Sequence, residues 1–309
     1  MSDPLPISLI VHTRNSVRTL PKLLDTTAWI SERIVVDMQS ADGTVELAAA
    51  ARCRVISIEP SASVDAIRNA YLPLAQHPWI LVLDSDEYLS ADAGTEIARL
   101  VTTAPPGIDA FAIPRFNSIA GHIMRGSAWY PDQQTRLFRS DTVAWQAGHH
   151  RLPQVVGGAD HLLVLEPPDC LHIHHDNYAS LAEFIERQVH YAVTDAYPAE
   201  FDFNRYLAAA YEEFDRRFDA EADGGISTAL AILMSWDQIV RGVLHWEQTG
   251  LTGELGAAFT LPVVAQISRT GEIARLRDRI EKLEESASFR VTAPLRWLAN
   301  RIRGINLGR

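Results

Sequence analysis

The chain has 309 residues, of which 47% are hydrophobic and 22% charged, which excludes a disordered or fibrous protein and suits one large domain with an appended part. A formal charge of −11 argues against nucleic acid as a partner, because an acidic body repels a polyanion. The two cysteines, Cys53 and Cys170, lie far apart, which excludes a disulfide framework and a thiolate metal site and suits a reducing cytoplasm.

Residues 1–15 lack a basic stretch followed by an apolar core, so they do not read as a secretory signal. Four short apolar runs follow: ISLIV at 7–11, RIVVD at 33–37, RVISI at 54–58 and WILVLD at 79–84. They are β-branched and bounded by polar turns, the pattern of buried strands. Helical periodicity fills the gaps over 16–29, 44–52 and 63–76, with Ser16 and Ser63 as the expected N-caps. Strands alternating with helices at this spacing predict a parallel, doubly wound sheet. Such sheets bind ligands outside the carboxyl ends of their strands, here residues 12–15, 37–43 and 84–87.

A further helix is expected over 92–103, and strands in DAFAIPRF at 109–116 and TRLFR at 135–139. From residue 178 the positions Leu181, Phe184, Ile185, Val189 and Ala192 take helical spacing. The longest apolar stretch beyond the strands, ISTALAILMSW at 226–236, is about half the roughly 20 residues that a membrane span needs. Ile273, Leu276, Ile280 and Leu283 form a short 3-4-3 seam that would suit a homodimer. Residues 272–309 carry nine Arg or Lys against five acids, leaving −15 on the rest of the chain. The tail over 286–309 has five Arg and no acid, which suits peripheral contact with the anionic inner face of the cytoplasmic membrane. The expected division is an α/β domain over 1–176 with its first half ending near 104, a helical region over 177–268, and the seam and tail over 269–309.

The chemistry concentrates at strand ends. Asp84 and Asp86, two apart where an apolar strand ends, offer hard oxygens to Mg2+ or Mn2+ and leave open positions for a diphosphate. Asp37 ends the second strand, where a carboxylate can accept from a base N–H or a ribose hydroxyl. Asp42 and Thr44 read equally as turn formers or ligand contacts. Arg68 and Asn69 lie on the helix before the metal strand, either reaching a diphosphate or lining a solvated face. Taken by themselves, His172, His174 and His175 read as a polar strand end, and Trp129, Tyr130 and Trp145 as core aromatics or sugar-stacking rings.

In order along the chain, IVHTRNS, IVVDMQSADGT, AIRNAYLPLA and WILVLDSDEYL resemble the signature of glycosyltransferase family 2. WYPDQQTRLFR at 129–139 and LHIHHDNY at 171–178 bring the likeness closer to its lipopolysaccharide-core and exopolysaccharide enzymes, and it covers roughly residues 5–195. The resemblance implies an α/β GT-A fold, with a Rossmann-like, mixed and mainly parallel sheet and a helical C-terminal extension. It also implies an inverting transfer from a nucleoside diphosphate sugar, UDP- or GDP-linked, to a glycan or lipid-linked acceptor in surface polysaccharide synthesis. It carries Thr13, Asn15, Asp37, Arg68 and Asp84 to donor binding, Asp84 and Asp86 to the metal, and a histidine of His172-Ile173-His174 to the metal shell. Inversion needs a base opposite the leaving group. Asp132 is the candidate, with His150 taking that role where relatives show a His-Glu pair and this chain has His149-His150. Gln133, Gln134 and Arg136 would then meet acceptor hydroxyls, and Arg136 and Arg139 read equally as strand flanks. Two other readings are a sugar nucleotidyltransferase, against which HTRNSVRTL lacks a phosphate-loop glycine, and a degenerate transferase acting as a scaffold.

Overall fold

The structure, a computed structural model, describes residues 5–61, 63–146 and 152–251; His150, the seam at 273–283 and the basic tail lie outside them. Strands β1 (Leu5–Thr13), β2 (Ile30–Asp37), β3 (Arg54–Ser57) and β4 (Trp79–Asp84) form where the apolar runs place them. Helices α1 (Leu20–Thr26), α2 (Thr44–Ala50) and α3 (Val64–Tyr71) connect them. All four strands are parallel, in the order β3-β2-β1-β4, as helical crossovers require.

Then come β5 (Glu87–Leu89), α4 (Ala93–Thr103), β6 (Ala110–Ile119), β7 (His122–Ile123), β8 (Asp132–Arg139), β9 (Val143–Ala144), β10 (Gln154–Val155), β11 (Leu162–Val164) and β12 (Ile173–Tyr178). β8 runs antiparallel between β4 and β6, whereas β12 joins β6 in parallel and β5 antiparallel. The main sheet reads β3-β2-β1-β4-β8-β6-β12-β5. This is the expected α/β class with a mixed, mainly parallel sheet.

Alternation along the strands explains why they read as unbroken apolar runs. Leu9, Val11, Leu81 and Leu83 pack on one side with Leu20 and Ile97, while Ile10, Ile34 and Val82 pack on the other with Leu72 and Trp145. A sheet covered on both faces has no polar side to alternate with. Each fully buried Leu or Ile there contributes roughly 1.5–3 kcal/mol.

Ser16 departs from expectation. α1 begins at Leu20 with Pro21 in its first turn, where the missing N–H costs nothing. The Ser16 amide instead donates to Thr44 Oγ1 at 2.8 Å. Beyond the sheet lie α5 (Leu181–Thr194), α6 (Phe203–Arg217) and α7 (Ala220–Gln248), the last interrupted at Gly224, which has φ 61° and ψ −141°. Among the described residues, those up to Thr194 form a compact unit with Glu212–Asp237, and Asp195–Tyr211 belongs with 238–251. Among the described residues no helix is long and apolar enough to cross a membrane.

Candidate donor and metal site

The carboxyl ends of β1 and β2 meet in register at Thr13 and Asp37. Asp37 is 1% exposed. Its Oδ2 accepts from the Ser40 amide at 3.0 Å, but Oδ1 has no partner, and neither has Thr13 Oγ1. An unmet buried polar atom costs about 1–3 kcal/mol, so such atoms gathered at one strand edge suit a ligand. Asn15 works on the protein itself, because its Oδ1 accepts from Ala41 N–H at 2.9 Å and its own amide donates to Ser40 Oγ at 2.8 Å. Its left-handed φ of 50° is one that asparagine tolerates better than most side chains. Asp42 accepts from the amides of Val17 and Thr44, both at 3.1 Å, so it shapes the turn.

Next to this edge a chain of buried charges runs through the sheet. Asp84 accepts from Arg68 through Oδ1, and from Arg136 at 2.5 Å through Oδ2. Arg136 also donates to Glu87 Oε1 at 3.0 Å, and Arg115 reaches the same oxygen at 2.6 Å. Arg115 continues to Asp132 with bonds of 2.9 and 2.6 Å. Burial alone would raise the Asp84 carboxyl, but Arg136 and then Arg68 outweigh it and hold it well below the usual range. Asp132 is likewise lowered despite burial, by Arg115 first and then by Asn117 and Gln134. Arg68 Nη1 and Arg136 Nε remain buried and unpartnered. Asn69 clips the chain at Trp145, donating to its carbonyl at 2.7 Å and accepting its amide at 2.8 Å.

Asp86 is free of arginine bonds. Its side chain is 23% exposed, and Oδ2 lies 3.5 Å from His175 Nε2. The tautomer of that ring follows from its neighbours. The Asn117 amide nitrogen donates to Trp129 O at 2.9 Å and Asp132 Oδ2 at 3.0 Å, and both of these can only accept. The Asn117 oxygen therefore faces His175 Nδ1 at 2.8 Å, and Nδ1 must carry the hydrogen. A neutral His175 thus turns a bare Nε2 lone pair toward Asp86, the tautomer that binds metals. One carboxylate and one imidazole suit a divalent ion that keeps its other positions for diphosphate oxygens and water. Among the described residues no three His, Cys, Asp or Glu side chains converge as a ready-made cage.

His172 and His174 are brought elsewhere. Side chains alternate along β12, with Ile173 and His175 buried, so its other face carries His174. There His174 stacks on Tyr88 at 4.9 Å. His172 stacks on Phe116 at 4.4 Å and bonds Tyr130 Oη at 2.9 Å. Gln133 donates to Leu165 O at 3.0 Å, and Gln134 to Asp132 Oδ1 at 2.7 Å. Arg139 lies 3.6 Å from Asp109. Trp145 is in the core, and Trp129 lies beneath Arg217, 4.2 Å from its ring centroid. Residue-by-residue reading missed Glu87, Arg115 and Asn117; the signal for Arg115 is a lone charge inside the apolar run AFAIPRF.

His12, at the end of β1 opposite Asp84, is 3% exposed, and both ring nitrogens lack partners. Burial, reinforced by Arg68 and opposed by Asp84, lowers its pKa to about 3. An unfolded histidine titrates near 6.5, so between pH ~6.5 and ~3 the unfolded chain binds a proton that the folded chain refuses. Stability should therefore fall as pH falls through that window, by up to about 1.4 kcal/mol per pH unit from this group. His172 and His174, both lowered chiefly by burial, act in the same sense. Urea titrations from pH 7.5 to 4.5 should be flatter for His12→Asn, and an unchanged slope would place the proton uptake elsewhere.

These features define an open α/β domain whose unmet polar atoms and charged side chains gather at the carboxyl edge of a mainly parallel sheet. Residues 8–152 match the family described as Glycosyl transferase family 2. A TPR repeat-containing protein of Synechococcus elongatus is 30% identical over 148 residues, which make up 47% of this chain and 35% of that protein. The chain thus spans about a third of the length of this curated relative. Among solved structures, S. aureus TarS 1–349 is 15% identical over 80% of this chain and 92% of its own, with a TM-score of 0.41. Glucosyl-3-phosphoglycerate synthase from Mycobacterium tuberculosis, in complex with Mn2+, uridine diphosphate and glucosyl-3-phosphoglycerate, is 22% identical over 36% of this chain and 43% of its own, with a TM-score of 0.30.

Proposed function

We propose that the chain is a glycosyltransferase of family 2 that moves a sugar from a UDP- or GDP-linked donor to a hydroxyl of a glycan or lipid-linked acceptor. The observation that carries this reading is Asp86, a carboxylate free of arginine at the carboxyl edge, with its Oδ2 3.5 Å from His175 Nε2. The family match over residues 8–152 supports it. Thr13 and Asp37 would receive the nucleoside through their unmet oxygens, and Arg68 and Arg136 would turn their unmet N–H groups to it or to the diphosphate. Asp86 and His175 would hold Mg2+ or Mn2+, which would offset charge on the departing diphosphate. Asp84, neutralised by two arginines, would order the edge.

The acceptor oxygen bonds to the anomeric carbon as the bond to the diphosphate oxygen breaks, and its proton passes to a base. Asp132, whose side chain is 25% exposed, is kept ionised by Arg115 and stands ready to accept. Low proton affinity is tolerable there, since a hydroxyl becomes strongly acidic as it bonds to an oxocarbenium-like carbon. We further propose that the acceptor belongs to bacterial surface polysaccharide synthesis and that the basic tail holds the enzyme beside it at the inner membrane face. Incubating the purified chain with Mn2+ and a panel of nucleoside diphosphate sugars should release nucleoside diphosphate from at least one donor. Release from none would leave a scaffold role.

A further inference from the structure

We propose that Asp223, in α7, is a positioning residue that acts through the 125–129 loop and Asn117 to fix the His175 tautomer facing Asp86. This rests on the reading that Asp86 and His175 hold a divalent ion. The Asp223 side chain is 0% exposed. Its Oδ1 accepts from Arg125 N–H at 2.6 Å and lies 3.2 Å from His122 Nε2; its Oδ2 accepts from Gly126 N–H at 3.0 Å and Ser127 Oγ at 2.7 Å. One carboxylate thus organises the loop that enters β8. Burial works against its charge, but these bonds hold the group below the ordinary carboxylate range.

The loop needs such an anchor. Ser127 and Ala128 follow one another at φ 56° and 54°, a left-handed pair that side chains other than glycine and asparagine avoid. Gly126 packs so closely that a Cβ there would meet Ala222 Cβ at 2.7 Å and Asp219 Oδ2 at 2.8 Å. The loop then turns back, with Trp129 N–H donating to Gly126 O at 2.9 Å. This fixes the Trp129 carbonyl, one of the two acceptors that orient the Asn117 amide. Were that carbonyl to move, Asn117 would lose a constraint on which end faces His175, and His175 would lose the constraint on which nitrogen carries hydrogen.

The test uses the full chain with 15N-labelled imidazoles, free of metal at pH 8, with His175 assigned through His175→Gln. Wild type should hold His175 as the single Nδ1–H tautomer, and Asp223→Ala should give a mixture. Mn2+ alone should bind Asp223→Ala about 10-fold more weakly, the size of effect that outer partners of metal ligands have. An unchanged tautomer would overturn the proposal, whether Mn2+ affinity falls or the amides of 125–127 exchange faster. If wild type binds no Mn2+, the metal reading fails, while the tautomer still decides the role of Asp223. Should Asp223→Ala fail to fold, Ser127→Ala removes one donor and should move the tautomer in the same direction by less.

Discussion

Asp86→Ala is expected to lower release of nucleoside diphosphate from the preferred donor by about 100- to 1,000-fold, the cost of removing one electrostatic group from a prepared site. No neighbour can replace it. Both oxygens of Asp84 are engaged by Arg68 and Arg136, and Glu87 accepts from Arg115 and Arg136 while its second oxygen receives the Asp84 amide at 2.9 Å. Asp86→Asn keeps an oxygen but not the charge and should lie between the two. Because the Asp86 side chain takes part in no arginine pair, folding should survive both changes, which the urea midpoint checks. Release at the wild-type rate from a folded Asp86→Ala protein would remove this carboxylate from the site.

The parts of the site that sequence reading could reach are those decided locally. A carboxylate ending a buried apolar run must sit at the sheet edge, and this holds for Asp37 and Asp84 because their strands form where the β-branched runs lie. Facing on β12 is a different matter. His172, His174 and His175 lie within four residues, and which of them meets Asp86 depends on β12 pairing with β6 so that His175 lies beside Asn117. That register is a long-range fact, and a one-residue shift reverses every side chain. Asp132 was found as a candidate, yet its partner Arg115 comes from another strand and is set by the antiparallel pairing of β6 with β8. The bond from Ala41 N–H to the Asn15 Oδ1 is likewise a contact between loops that spacing along the chain does not reveal, of the kind short polar side chains make wherever an unpaired amide is close.

Arg136→Met is expected to destabilise the fold by about 3–5 kcal/mol, although methionine matches much of the arginine's length, because removing one partner of a buried ion network leaves the other charges uncompensated. Arg136 bridges Asp84 and Glu87, and these two carboxylates raise its proton affinity despite burial. In the variant, Arg68 still faces Asp84 and Arg115 still faces Glu87. Four network acids, Asp84, Glu87, Asp132 and Asp65, the last 3.1 Å from Arg68, are then served by two arginines instead of three. The folded-state pKa of Asp84 should rise as its largest stabilising influence is lost. Its stabilisation is present above the unfolded pKa and is lost as pH falls through the folded one. The deficit of Arg136→Met should therefore be greatest at neutral pH and shrink toward pH ~4, where wild type begins to lose the same interaction. Urea denaturation at pH 7 and pH 4 measures both. Adding Glu87→Gln to Arg136→Met should recover part of the loss at pH 7, since neutralising an acid lowers the charge left unpaired. Simple addition of the two single-variant losses would mean that Arg136 and Glu87 are not coupled through the shared bond.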